Sequence, residues 1–293
     1  AQNQSVVRKL PIKGGTKTIN QITYGADGPD RWRVCTWAPQ FVGIDHTKPE
    51  AQLFYNSLVD LYAEWEIDFL KWDCLYDVVA GYSDEETLVA EAVRQSARPF
   101  MLSLSPGGGM KNVDAAWIAS GQRASFYRAT GDFHASTRNG LVEHAFVAAN
   151  MSQFAGANNT WADLDMMDLG EDSPWHGTPT ARLHATIWMM ARSPLMFAGK
   201  LPASAETLNL ISNTQALDIH AHSSKLKASY QGDCDCKPNP RSSQWACDLV
   251  NAATSKPCVA VWWSTMPNTA CRALAVLNLG ECACECECAC ECE

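Results

Sequence analysis

The sequence has no run of apolar residues as long as a transmembrane span, and it has no stripe or cluster of basic residues. A membrane-spanning helix needs about 20 consecutive apolar residues. Nucleic-acid binding needs lysine and arginine gathered on one face, whereas this chain carries 23 basic and 32 acidic residues and a net charge of −9. Membranes and nucleic acids are therefore not expected partners, and the sequence does not fix the oligomeric state.

An initiator methionine and a signal-peptide apolar region are also lacking, because the chain opens Ala1-Gln2-Asn3. We therefore expect a mature protein or a fragment. Cysteine is plentiful: six of the 13 lie in the last twelve residues. The other seven are Cys35, Cys74, Cys234, Cys236, Cys247, Cys258 and Cys271. This spread suits disulfides in an oxidising compartment, so we expect a secreted, extracellular or lysosomal-vacuolar protein.

Short apolar runs alternate with helical patterns through the first two hundred residues. The patterns predict helices over 50–65, 141–151 and 182–190, with one more beginning at the capping box of Ser83. They predict strands over 67–73, 99–105, 125–132, 161–166 and 193–199. This alternation favours parallel βα units. A closed (β/α)₈ TIM barrel takes about 250 residues, and no convincing βα repeat precedes Glu50. The expected fold is α/β: a (β/α)₈ TIM barrel that is either open or without its first strands.

The pattern changes near residue 221. Residues 221–240 read as a loop, and 258–263 and 272–279 as strands of a small antiparallel β-domain. We predict a partial barrel over 1–222, a partial β-domain over 223–280 and a low-complexity Cys/Glu tail over 281–293. The tail could bind soft metals through thiolates. Its biased composition favours a disordered tract or a frame artefact.

Two carboxylates, Asp73 and Asp132, end two of the predicted strands. Side chains at the C-terminal ends of barrel strands face the mouth where such folds do chemistry, and a carboxylate pair is the minimum for glycoside hydrolysis. Lys71 precedes Asp73 by two residues, so it shares a strand face with it, and its charge would keep Asp73 ionised. Arg128 precedes Asp132 by four. Spacing alone equally fits capping or salt-bridging acids at loop starts.

Four motifs in order carry a more specific signal: LKWDC at 70–74, RATGD at 128–132, WADLDM at 161–166 and SPLMFAG at 193–199. Together with an exit helix over 209–223, they resemble the α-galactosidase/melibiase family, glycoside hydrolase family 27 of clan D. The segment SLSPG at 103–107 is similar to the plant-type branch, which includes β-L-arabinopyranosidases.

The resemblance implies a retaining exo-glycosidase that hydrolyses terminal α-D-galactosides or β-L-arabinopyranosides by double displacement. Asp73 would be the nucleophile and Asp132 the acid/base, with their carboxyls about 5–5.5 Å apart. No cofactor or metal is implied, and the partner is an oligosaccharide or glycan substrate. The implied substrate contacts are Lys71, Arg128, Ser105, Cys74, Trp161 and Asp163.

The resemblance also implies a disulfide between Cys35 and Cys74. One departure from the family stands out: nothing in this chain is similar to the family's first two strands, which complete the sugar pocket. The alternative is therefore a catalytically inactive barrel fragment that retains some carbohydrate binding. We expect the 293-residue chain to hydrolyse glycosides poorly.

Overall fold

The structure is a computed structural model of the 293-residue chain. The residues that it describes are 9–24, 35, 38, 41–73, 83–105, 118–119, 123–134, 138–232, 236–238, 245–247, 258–267, 271–279 and 288–292. The chain divides into two compact units. The first comprises residues 1–107 and 121–126, and the second comprises residues 108–120 and 127–293. The predicted boundary at residues 222 and 223 remains a prediction.

Two helices build the outer layer of the first unit, α1 (Glu50–Glu64) and α2 (Ser83–Gln95). Helix α1 buries Ala51, Tyr55 and Val59, which recur every four residues and so form one stripe. Tyr55 donates a hydrogen bond to the buried carboxylate of Glu85 on α2. Both helices were predicted at these positions from their apolar periodicity and from the capping signal at Ser83.

Two parallel strands form the sheet of the first unit, β1 (Phe69–Asp73) and β2 (Met101–Ser105). Their register pairs Phe69 with Met101 at one end and Asp73 with Ser105 at the other. Each strand starts two residues later than its apolar run predicted. Because parallel strands share their direction, both deliver their C-terminal residues to the same edge.

The third strand, β3 (Phe126–Arg128), begins at the last residue of the first unit and ends in the second. Just before it, the Ser125 N–H donates to the Leu102 carbonyl at 2.8 Å within the first unit. Just after it, the Ala129 N–H donates to the carbonyl of Asp163, the last residue of β4 (Trp161–Asp163), at 2.9 Å.

The predicted strand over 161–166 ends early, at Asp163, because the chain turns at Asp165. The next strand, β5 (Met167–Asp168), pairs in parallel with β6 (Phe197–Ala198), which is all that remains of the predicted strand over 193–199. Beyond these strands, Gly170 and Gly199 touch. A Cβ on Gly170 would lie 2.6 Å from the Gly199 Cα, so this approach excludes any side chain.

The helices of the second unit whose bounds lie within the described residues are α3 (Arg138–Met151), α4 (Pro179–Ala191), α5 (Ala205–Ile211) and α6 (Thr214–His222). The single exit helix predicted over 209–223 is wrong, since it is interrupted between α5 and α6. The physical reason is Asn213, whose side chain accepts from the Ala216 N–H at 3.0 Å and starts a new helix.

Six strands follow. They are β7 (Ser224–Gln231), β8 (Cys236–Pro238), β9 (Trp245–Cys247), β10 (Val259–Thr265), β11 (Cys271–Asn278) and β12 (Cys288–Cys292). Strands β8 and β9 pair with each other, and the other four form an antiparallel sheet in the order β12-β11-β10-β7. The predicted strands near 258 and 272 are β10 and β11.

Two expectations for this region were wrong. Residues 224–231 are a strand rather than loop, because Leu226, Ala228 and Tyr230 alternate with exposed polar residues and pack on the core. Part of the Cys/Glu tail is also ordered, since β12 pairs with β11. One hydrophobic core in the second unit joins α3, α4 and the inner face of the antiparallel sheet, with Trp188 and Trp262 fully buried in it.

Candidate active site

Asp73 ends β1 at the C-terminal edge of the parallel pair in the first unit. Exposure alternates along β1, so Phe69, Lys71 and Asp73 occupy one face and are exposed. Ser105, a predicted substrate contact, is the register partner of Asp73 on β2 and is buried. Neighbouring strands lie about 4.8 Å apart, so the two side chains project from adjacent positions on the same face. The structure therefore brings these two predicted residues together.

Lys71 stands on the same face as Asp73, as the period of the strand predicted. It forms neither a hydrogen bond nor an ion pair with any residue of the described ranges. The Lys71 side chain is therefore available to a ligand within this part of the structure. Cys74 lies outside the described residues.

Arg128 is the central residue around Asp132, the predicted acid/base, and both residues lie in the second unit. It is the last residue of β3, and its guanidinium is buried. One of its nitrogens, Nη2, reaches the Gly131 carbonyl at 2.7 Å, the Asp132 carboxylate at 3.3 Å and the Asp165 carboxylate at 3.0 Å. The Asp132 side chain is 81% exposed. Arg128 thus ties an accessible carboxylate to a buried one.

Asp165 is a site residue that sequence reasoning did not select, although it lies within the quoted WADLDM motif. Its carboxylate accepts from Arg128 and, at 2.6 Å, from the Phe133 N–H directly after Asp132. Its backbone is left-handed at φ 80°, a conformation rare for residues other than glycine. The Trp188 indole donates to the Asp165 carbonyl at 2.8 Å and holds this turn. The Asp-x-Asp spacing was the available signal.

Asp163 and Trp161, both predicted substrate contacts, occupy opposite ends of β4. Asp163 is buried at the C-terminal end, where its carboxylate accepts from the Asp165 N–H at 2.8 Å. Trp161 starts the strand, and its indole lies beside Gly156. Chemistry in parallel barrels sits at C-terminal strand ends, so the position of Asp163 agrees with its predicted role, whereas that of Trp161 gives its role no support.

An aromatic cluster packs against Phe133, directly behind Asp132. The rings of His184 and Trp188 lie 4.5 and 5.2 Å from the Phe133 ring, and His144 stacks on Trp188 at 5.6 Å. Burial lowers the pKa of His144 to about 4 and that of His184 to about 3. Both histidines are therefore neutral at pH 7. Neither ring nitrogen of His184 has a hydrogen-bond partner among the residues that the structure describes.

The two carboxylates belong to different compact units, and their predicted separation of about 5–5.5 Å stays a prediction. Cys35 is disulfide-bonded, as are Cys258 and Cys271. The pairing of Cys35 with Cys74 also stays a prediction, because Cys74 is outside the described part of the chain. Within that part, no three His, Cys, Asp or Glu side chains are grouped to hold a metal ion. No helix there is long and apolar enough to cross a membrane.

Parallel βα units followed by an antiparallel sheet are the arrangement expected of an incomplete (β/α)₈ barrel with a small β-domain. The family model described as Alpha galactosidase A (Melibiase_2) matches residues 46–222, more than half of the chain. The chain therefore belongs to the α-galactosidase family.

Curated relatives include an alpha-galactosidase of Oryza sativa subsp. japonica, 26% identical over 61% of this chain and 40% of its own length. An alpha-galactosidase of Cyamopsis tetragonoloba is 25% identical over 75% of this chain and 51% of its own. The chain thus spans about half or less of the length of these relatives.

Two solved structures share the fold. A family-27 β-L-arabinopyranosidase from Geobacillus stearothermophilus superposes with a TM-score of 0.76 at 25% identity, over 95% of this chain and 59% of its own. A putative alpha-N-acetylgalactosaminidase from Bacillus halodurans gives 0.66 at 23% identity, over 94% of this chain and 59% of its own. The predicted fold class, an incomplete (β/α)₈ barrel followed by a small antiparallel β-domain, is confirmed.

Proposed function

We propose that the protein is a retaining exo-glycosidase for terminal α-D-galactosides or β-L-arabinopyranosides. Asp73 attacks the anomeric carbon and forms a glycosyl ester, while Asp132 gives its proton to the departing glycosidic oxygen. Asp132 then takes a proton from the water that hydrolyses the ester. Retention follows because the anomeric carbon is inverted twice.

The observation that carries this proposal is the setting of Asp132. A general acid must reach the leaving oxygen and must be held in one orientation. The Asp132 carboxylate is accessible, yet it accepts a hydrogen bond from the buried guanidinium of Arg128. A second ion pair, with the buried Asp165 carboxylate, holds that guanidinium in place. Asp73 and Ser105 supply the corresponding strand-end positions in the first unit. The choice of sugar rests on the names of the α-galactosidase relatives and of the β-L-arabinopyranosidase neighbour.

The assignment is tested by trapping the glycosyl ester. A galactosyl inactivator with an activated leaving group is incubated with residues 1–293, and the labelled peptide is located by mass spectrometry. We expect the label on Asp73 and none on the Asp73→Asn variant. Asp60→Asn, at an exposed position on α1, is the matched control and should label like the parent. A label on another carboxylate would contradict the assignment.

The acid/base role of Asp132 has its own signature. Asp132→Ala should turn over aryl galactosides with good leaving groups far better than alkyl galactosides, because only poor leaving groups need protonation. Added azide should accelerate this variant and give the α-galactosyl azide, whereas Asp73→Ala with azide should give the β-azide. If turnover of aryl and alkyl galactosides fell by the same factor in Asp132→Ala, Asp132 would not be the general acid.

A second candidate, a sugar-binding chain with little or no catalysis, is favoured by the exposed face of β1 and β2. Phe69 is 38% and Met101 48% exposed, and Lys71 beside them has no partner among the described residues. A sugar held only on this exposed face would lack contacts that strengthen in the transition state. We therefore expect residues 1–293 to turn over slowly. A rate of about 1–10³ per second on nitrophenyl α-galactoside or β-L-arabinopyranoside would exclude this candidate.

We also propose that the protein works in an oxidising compartment, outside the cell or in a lysosome or vacuole. Disulfides persist in such compartments and are rare in the cytosol, and Cys35, Cys258 and Cys271 are disulfide-bonded. Thiol labelling of the natural protein before and after reduction tests this. Complete labelling without reductant would contradict it.

A further inference from the structure

We propose that a cleft in the second unit is a non-catalytic binding site for a neutral sugar residue. The cleft lies between the loop that follows β5, the first turns of α4 and helix α5. Its volume is about 490 Å³, within the range of about 300–1,000 Å³ that small-molecule sites occupy. None of the residues assigned above to the candidate active site lines it. The inference therefore goes beyond the proposed catalysis.

The walls of this sugar cleft are fixed before any ligand arrives. The Thr207 hydroxyl donates to the Leu169 carbonyl at 2.8 Å, which holds α5 against the end of β5. His176 and the Ser204 hydroxyl lie 2.9 Å apart in a hydrogen bond, and Ser204 also caps α5 by accepting from the Thr207 N–H at 3.1 Å. A site whose walls are already ordered loses less entropy when it binds a ligand.

Three polar side chains on the cleft have no partner of their own in the described part of the chain. These are Arg182 on α4 and Glu206 and Asn209 on α5, and all three are exposed. Asn213 adds a carboxamide whose oxygen caps α6 and whose amino group remains able to donate. The cleft thus offers both donors and acceptors, as hydroxyl groups require, since each hydroxyl donates once and accepts twice.

The charge of the cleft argues against ionic ligands. Arg182 and Glu206 carry opposite charges, so the lining has no excess of either sign. An anionic ligand in the cleft would be repelled by Glu206 as well as attracted by Arg182, and the described residues contain no acid cluster for a metal. Leu169, Ala181 and Leu210 supply an apolar wall. A pyranose matches this surface, with C–H groups on its faces and hydroxyls around its rim.

The predicted affinity is weak because no phenylalanine, tyrosine or tryptophan ring lines the cleft among the described residues. Such a site raises the overall affinity for a branched glycan when one sugar branch occupies the catalytic site and another branch of the same glycan occupies the cleft. Binding of the second branch is then intramolecular. The expected ligand is a neutral polysaccharide that carries many identical sugar branches.

Affinity electrophoresis in gels containing galactomannan tests the inference. We expect residues 1–293 to be retarded, and Arg182→Ala/Glu206→Ala to lose at least about tenfold in affinity. The matched control is Glu91→Ala/Arg94→Ala, which removes an exposed acid–base pair from α2, and it should migrate like the parent. Asp73→Asn/Asp132→Asn should also stay retarded, because the cleft does not use those carboxylates.

Several outcomes would overturn the proposal. These are absence of retardation in the parent, equal retardation of the cleft variant, or release only in Asp73→Asn/Asp132→Asn. Displacement by inorganic phosphate rather than by galactose would show an anion site instead. Circular dichroism checks that each variant is folded. If the double variant unfolds, Asn209→Leu on exposed α5 replaces it and should also release the protein from galactomannan.

Discussion

The two carboxylates of the candidate site differ sharply in their surroundings. Asp132 is approached by Arg128, which a second carboxylate and a left-handed turn at Asp165 hold in place. Asp73 shares its strand face with an exposed Lys71 that has no partner in the described residues. The two motifs are equally specific in sequence, but the residues that hold Asp132 are buried, whereas Asp73 and Lys71 on β1 are exposed. Stability and catalysis should therefore respond differently to mutation in the two halves.

The largest effect should come from Asp165→Asn. The variant keeps the shape of the side chain and tolerates the left-handed backbone, but it removes the buried one of the two carboxylates that pair with the Arg128 guanidinium. Removal of one member of a buried pair costs about 3–5 kcal/mol. Urea unfolding monitored by tryptophan fluorescence measures the loss.

Asp218→Asn is the control, since it removes a carboxylate from an exposed pair with His222. Exposed pairs are worth about 0–1 kcal/mol, so the control should unfold close to the parent. If Asp165→Asn were as stable as this control, the Asp132 half would not be anchored in the way the contacts indicate.

Acid should lower the free energy of unfolding through the two buried histidines that pack behind Asp132, His144 and His184. The pKa values of His144 and His184 are lowered from 6.5 to about 4 and about 3. Between pH 6.5 and these lowered values, the unfolded chain binds protons that the folded chain does not. The contribution of the neutral histidines to the free energy of unfolding is therefore fully present above about pH 6.5 and is lost as the pH falls towards 4. At about 1.4 kcal/mol per pKa unit, the loss is on the order of 3 kcal/mol for His144.

The pH dependence can be separated from general acid sensitivity. His184→Phe removes two unpartnered ring nitrogens from a fully buried position, so the free energy of unfolding should fall less steeply between pH 6.5 and 4. His222→Gln, an exposed position, should leave the slope unchanged. If His184→Phe left the slope of unfolding free energy against pH unchanged, as His222→Gln should, groups other than His184 would control acid unfolding.

A smaller effect is expected in the first unit for Tyr55→Phe. Burial and the nearby Glu85 carboxylate raise the pKa of Tyr55 well above its ordinary value, so its hydroxyl stays a donor. Loss of this donor to a buried acceptor costs about 1–3 kcal/mol. Tyr62→Phe, at a partly exposed position on the same helix, is the control and should leave the melting temperature almost unchanged. Equal melting temperatures for the two variants would contradict the role of the buried pair.

Sequence patterns were sufficient where one period runs through a whole element. The short apolar run that ends at Asp73 gave β1, and apolar residues at helical spacing over 50–65 gave α1. The pattern failed at Asp165 because the alternation of DLDM continues through a residue whose φ is 80°. That turn depends on Trp188, 23 positions away. A local pattern does not contain such a long-range hydrogen bond, and for this reason Asp165 was missed.

The exit helix and the first strand of the sheet failed for a different reason. Both signals were present in the sequence but were not used. Asn213 is a good helix N-cap, but the single exit helix over 209–223 was taken from the family resemblance rather than from the residues. Leu226, Ala228 and Tyr230 alternate as in a strand, but the cysteines and prolines that follow favoured a loop.

The smallest stability effect, and the clearest contrast between the two halves, should come from Lys71→Met. Lys71 is exposed and unpaired within the described residues, and surface substitutions of this kind change stability by about 0.5 kcal/mol or less. If Lys71 contacts the sugar, as the family resemblance implies, KM for an aryl galactoside should nevertheless rise. Lys227→Met, an exposed lysine on β7, should change neither quantity. A Lys71→Met protein with unchanged KM would remove Lys71 from the site, whereas one that unfolds easily would show that the Asp73 half is held together by contacts of Lys71 beyond the described ranges.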